Sequence, residues 1–222
     1  MATITYYLTD TLASGSAHMA LQEGGSAPTT ARISTGWIVG TTAATVYSRM
    51  DAQTERANAT LTSTVQPNGG PDNTLGDCFR TATTLNGSFA AGNWAFDWKV
   101  QGETRVTSTT GGRLRFRMWR SVNADGSSAT EITAATQTST LFAALANSAS
   151  QAIAKTYDPG AFTLANEYLF IQHALSITTA GDNSTADVHL CVGTGNSIVT
   201  TDFTVATSLP PLPRGRLWRK RL

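Results

Sequence analysis

The strongest regularity along this chain is an alternation of large apolar residues with small, polar or charged ones. In Trp94-Ala95-Phe96-Asp97-Trp98-Lys99-Val100 every second residue is large and apolar. That period describes a strand with one buried face. Leu114, Phe116 and Met118 alternate in the same way with Arg113, Arg115, Arg117 and Trp119. Tyr168 to Ile177 is denser, with Leu169, Ile171, Leu175 and Ile177 on one parity and Tyr168, Phe170 and Ala174 on the other. Apolar residues on both parities imply a strand covered on both faces. Val188, Leu190 and Val192 alternate with His189 and Cys191. Weaker patterns predict strands around Ile4–Leu8, Thr45–Met50, Ala57–Val65, Cys78–Thr84, Ile132–Thr138, Ala152–Tyr157 and Ile198–Val205.

Turn chemistry separates these runs. Asn68 to Asn73 reads as a loop. Asn86-Gly87, Gly111-Gly112, Asp125-Gly126, Asp158-Pro159-Gly160 and Ala180 to Asn183 read as turns. Many strands joined by such turns predict an all-β, antiparallel sandwich or barrel. One short helix candidate covers Thr140 to Asn147. Residues 1–31 are expected to form an N-terminal strand followed by a flexible loop or arm, because 10–31 are rich in Gly, Ser, Ala and Thr. Residues 32–207 form the expected β-sandwich domain. Residues 208–222 differ in kind. Leu209-Pro210-Pro211-Leu212-Pro213 cannot be a central strand, since proline donates no ladder bond, so an extended linker leads into a basic arm.

Composition adds two points. Charged residues are only 14% of the chain, whereas about one residue in six is threonine. Threonine is β-branched and keeps an exposed strand face soluble without charge. The formal net charge of +1 is unevenly spread, because Arg214, Arg216, Arg219, Lys220 and Arg221 crowd the last nine residues with no acid among them. The rest of the chain holds eleven basic residues against fifteen acidic ones. A mildly acidic body with a basic tail is the clearest charge asymmetry. The N-terminus lacks the basic and apolar regions of a signal peptide, and no apolar run is long enough to span a bilayer, so no membrane contact is expected.

Catalytic chemistry finds no motif. There is no G-x-S-x-G elbow, Walker loop, G-x-G-x-x-G or H-E-x-x-H. His18, His173 and His189 are read as structural. Asp97, Glu103 and Glu131 cannot be paired as a glycosidase dyad from sequence. Asn123-Ala124-Asp125-Gly126 lacks the further ligands of a calcium loop and is read as a hairpin turn. Cys78 and Cys191 are read as buried thiols, with pairing across two sheets left open. The expectation is a protein without a catalytic centre, metal or cofactor.

Three features have two readings each. Trp94, Phe96 and Trp98 would stack on sugar rings if exposed, and form the core if they point inward. The polar alternate residues favour the core. Arg113, Arg115, Arg117 and Trp119 form either a solvated face, paired for example with Asp97, or a partner-binding stripe, since Trp and Arg are enriched at interface hot spots. Arg214, Arg216, Trp218, Arg219, Lys220 and Arg221 form either a solvated end or an anchoring arm that orders on an acidic neighbour or on nucleic acid phosphates.

The run from Gly92-Asn93-Trp94-Ala95-Phe96 through Arg115-Phe116-Arg117-Met118-Trp119-Arg120-Ser121 to Asn123-Ala124-Asp125-Gly126-Ser127 resembles jelly-roll virion proteins of tailed bacteriophages. Glu167 to Gln172 and the Thr-, Ala- and Gly-rich loops share that character, over roughly residues 35–206. The resemblance implies a jelly-roll-like antiparallel β-sandwich with an extended C-terminal arm. It also implies a non-enzymatic subunit of the head, collar or tail, made in the host cytoplasm and located in the virion. Such a subunit contacts other virion proteins and forms a homo-oligomer. The alternative expectation is a carbohydrate-binding module or virion adhesin that uses an aromatic sheet face.

Overall fold

The computed structural model describes residues 2–14, 18–23, 32–33, 37–39, 46–47, 77–102, 112–134, 137–140, 149–177, 186–192 and 198–205. Among these residues the chain is all-β with no helix. The strands are β1 (Ala2–Leu12), β2 (Met19–Glu23), β3 (Arg32–Ile33), β4 (Trp37–Val39), β5 (Val46–Tyr47), β6 (Asp77–Thr81), β7 (Leu85–Phe89) and β8 (Trp94–Gly102). They continue with β9 (Gly112–Ser121), β10 (Thr130–Glu131), β11 (Gln137–Thr138), β12 (Ser150–Tyr157), β13 (Phe162–Ile177), β14 (Ala186–Val192) and β15 (Ile198–Val205).

Two long strands organise the sheet. β13 pairs with β9 from Tyr168 to Ile177 on one edge, and with β7 and then β6 on the other. β10 and β11 flank β9. β8 pairs with β12 along Trp94–Gln101 on one edge, and with β15 and β14 on the other. β1 extends this second layer beyond β15. The layers join along one side, where β7 pairs with β15 and β2 bridges β1 to β6. The β2–β6 ladder is parallel, and the other ladders among the described residues are antiparallel.

The layers pack face to face as in a β-sandwich, and the alternation of β8 explains why. Trp94, Phe96, Trp98 and Val100 are all at most 1% exposed. Phe96 lies 4.5 Å from Phe116 of β9 between ring centroids, and Trp98 lies 5.4 Å from the same ring. Phe89 closes the cluster 4.8 Å from Trp94. Each such burial contributes roughly 2–3 kcal/mol. The indole of Trp98 donates to His173 Nε2 at 3.1 Å within this core. Tryptophan only donates, so His173 is neutral at Nε2 and carries its proton on Nδ1.

Several expectations are corrected. Within the N-terminal segment, Met19–Glu23 forms a second strand where composition predicts loop or arm. β1 runs to Leu12, and Met19–Glu23 pairs with both β1 and β6. Leu21 is buried there, which the small-residue composition around it concealed, and packs with Tyr6 and Leu8 of the expected N-terminal strand in one core cluster. Asn86-Gly87 is not a turn but the middle of β7. β7 is bonded on both edges, to β13 and β15, and these ladders outweigh local turn preference. β13 begins at Phe162, six residues before the predicted start, and passes through a bulge where Asn166 takes a φ of 58°. The strand predicted over Ile132–Thr138 is instead two short pieces, β10 and β11. The helix candidate from residue 141 on, the strand over Ala57–Val65 and the Asn68–Asn73 loop lie outside the described residues, as does the Cys191 side chain.

Predicted turns hold at two places. Gly126 has a φ of 78°, and Asp125 Oδ1 accepts from the Ser127 amide and hydroxyl at 2.9 and 2.7 Å. Those bonds hold the Asp125 carboxyl below its usual pKa. Asp158 Oδ1 accepts from Gly160 N at 2.8 Å and from Gly92 N at 3.0 Å, which ties the β12–β13 turn to the β7–β8 turn.

Candidate functional site

The outer face of β9 carries the most unusual chemistry on the described surface. Strand alternation sends Leu114, Phe116 and Met118 inward, where all three are fully buried. It sends Arg113, Arg115 and Arg117 to the opposite face, where they are half-buried, together with Trp119, which is buried. The register then assembles rows across the sheet. Trp119 sits between Phe170 and Glu131, Arg117 beside Gln172, Arg115 between Ala174 and Thr138, and Arg113 beside Ser176.

The members of this row are satisfied to different degrees. Arg113 donates to the Ser139 carbonyl at 3.1 Å. Arg117 Nε stands 3.2 Å from Glu131 Oε1, an ion pair whose angle falls short of a hydrogen bond. The Arg117 guanidinium also lies 5.8 Å from the Trp119 ring centroid, near the outer limit of a cation–π contact. Thr133 Oγ1 holds Glu131 Oε1 at 2.7 Å. Arg115 has no ion pair or hydrogen bond among the described residues, and its Nε is buried. Burial pushes its pKa below the ordinary arginine value. The carboxylate that answers the stripe is therefore Glu131, not Asp97. Asp97 is exposed on β8 in the opposite layer, so Asp97 and Glu131 do not face one bond.

A second cation on the same sheet face was missed. Arg80 is fully buried, in register with Phe170. It donates to the Thr81 carbonyl at 2.9 Å and to the Ser14 carbonyl at 2.8 Å, and its guanidinium lies 4.2 Å over the Tyr168 ring. Burial lowers its pKa, against which Tyr168 and Cys78 act. Cys78, Trp119 and Phe170 form a small apolar cluster on this side. His18 covers it from the β1–β2 connection, 5.2 Å from Phe170. Only the parity of Arg80 with Cys78 could have placed it on this face from sequence, and nothing local marks it as buried.

The remaining predicted residues divide clearly. Trp94, Phe96 and Trp98 are core and present no aromatic platform. His18 and His173 are buried, while the His189 side chain and Glu103 lie outside the described residues. Arg214, Arg216, Trp218, Arg219, Lys220 and Arg221 also lie outside them. No family model and no curated protein matches this sequence.

Proposed function

We propose that this chain is a non-enzymatic structural subunit of a bacteriophage virion, seated in the head, neck or tail. In this reading the body is a jelly-roll-like sandwich that attaches to neighbouring virion proteins through the β9 face and the basic C-terminal arm. The observation that carries it is Arg115, a half-buried cation that finds no partner among the described residues, in a row of arginines beside a tryptophan. Trp and Arg are the residues that dominate interface energetics. A charge left without a partner costs free energy in the isolated chain and regains it on contact. The resemblance of residues 92–127 to phage jelly-roll proteins supplies the setting. Interior burial of Trp94, Phe96 and Trp98 removes the face on which the carbohydrate-binding alternative was built.

Quantitative mass spectrometry of particles purified from the encoding phage tests this reading. The chain should be present at a fixed copy number per particle, and its absence would overturn the proposal. Deleting residues 209–222 should lower incorporation. Unchanged incorporation would remove the arm from the attachment mechanism.

A further inference from the structure

The register around Arg115 indicates what would complete the β9 face. Arg113, Arg115 and Arg117 occupy alternate positions of one strand, so their Cα atoms stand about 6.8 Å apart. In the two ladders flanking Arg115 the facing residues are Ala174 and Thr138, neither of them acidic. Glu131 of β10 reaches Arg117, the next outward residue along. The face therefore already contains one arginine met by a carboxylate from an adjacent strand, followed by an arginine for which the described residues supply none.

We infer that this face seats an extended, carboxylate-bearing segment of a neighbouring protein subunit, with acids at alternate positions meeting Arg115 and Arg113. The inference rests on the subunit reading above and names the contact. An extended strand repeats its side chains on one face at the same spacing as the arginines. A planar guanidinium donates two parallel hydrogen bonds to a carboxylate, which sets register as well as affinity. Nucleic acid fits less well. The Arg117 side chain is only 19% exposed, and Glu131 places a negative charge inside the face, where it would repel a phosphate backbone. The body outside the tail also carries more acids than bases.

The test uses the full chain and its Arg115→Gln variant, with three labelled probes followed by fluorescence anisotropy. One is a capped peptide of alternating Thr and Glu. The second has the same composition with its Glu residues contiguous. The third is a thymidine oligonucleotide of equal charge. Both proteins carry the same basic tail, so tail binding cancels in the comparison. The full chain should prefer the alternating peptide by about tenfold or more, and Arg115→Gln should erase that preference. Equal binding of the two peptides, or a preference untouched by Arg115→Gln, would overturn the inference. So would tighter binding of the oligonucleotide with the same dependence on Arg115, which would make the face a nucleic-acid site. A failed peptide test with the chain still counted in particles removes the carboxylate seat alone. Absence from particles with the peptide preference intact removes the subunit setting alone.

Discussion

The two faces of β9 belong to one ten-residue strand and obey opposite rules. On the inner face Leu114, Phe116 and Met118 are completely enclosed by residues of this chain. On the outer face Arg115 has no partner among the described residues, and Arg117 has an imperfect one. Full burial of each apolar side chain contributes about 1.5–3 kcal/mol, whereas a partly exposed ion pair contributes about 0–1 kcal/mol. Folding is thus driven from the inside. The arginines of the outer face add little to that stability, and their unequal satisfaction indicates where the proposed partner would be felt.

The largest effects should come from the inner side. Trp98→Ala removes a buried indole that touches Phe96, Phe116 and His173. It should cost about 3–5 kcal/mol in chemical denaturation. A cost below 1 kcal/mol would mean that the β8 row is not the core. His173→Leu comes next. It keeps an apolar volume but leaves the Trp98 indole N–H without its acceptor, so it should cost about 1–3 kcal/mol. A stabilised variant would show that this bond is not needed.

How much of this contrast was legible in the chain depended on how local its cause is. The alternation of β8 and β9 is a property of seven to ten consecutive residues, so both strands and their inward rows could be read directly. Ladder partners are not local. Asp97 is the partner that the sequence suggests for the arginines, and only the pairing of β10 with β9 sets Glu131 beside Trp119, within reach of Arg117. Arg80 illustrates the limit most sharply. It is buried partly by the Ser14 carbonyl, 66 positions away in sequence, in a segment that reads as loop. Asn86-Gly87 failed for the same reason, since its turn chemistry is overruled by strands from two distant parts of the chain. Threonine enrichment pointed to strands but not to how they pair.

A smaller effect is expected from the Arg117–Glu131 ion pair on the outer face of β9. A double-mutant cycle with Arg117→Ala and Glu131→Ala should return a coupling of about 0.2–1 kcal/mol, because both side chains keep contact with water. A coupling above 2 kcal/mol would place the pair in the same energetic class as the core. The contrast between the faces would then fail.

The smallest effect on stability should come from Arg115→Gln, and it separates the faces most cleanly. Removing a half-buried cation that has no hydrogen bond or ion pair among the described residues relieves desolvation, so the unfolding free energy should stay within about 0.5 kcal/mol of the parent or rise. In the particle the same substitution should reduce incorporation, because the group it removes is the one the assembly would satisfy. A residue that is silent in the isolated chain and required in the assembly is one held for a partner. A loss of several kcal/mol in the isolated chain would instead show that Arg115 supports its own sheet, and the outer face would then differ from the inner one only in polarity.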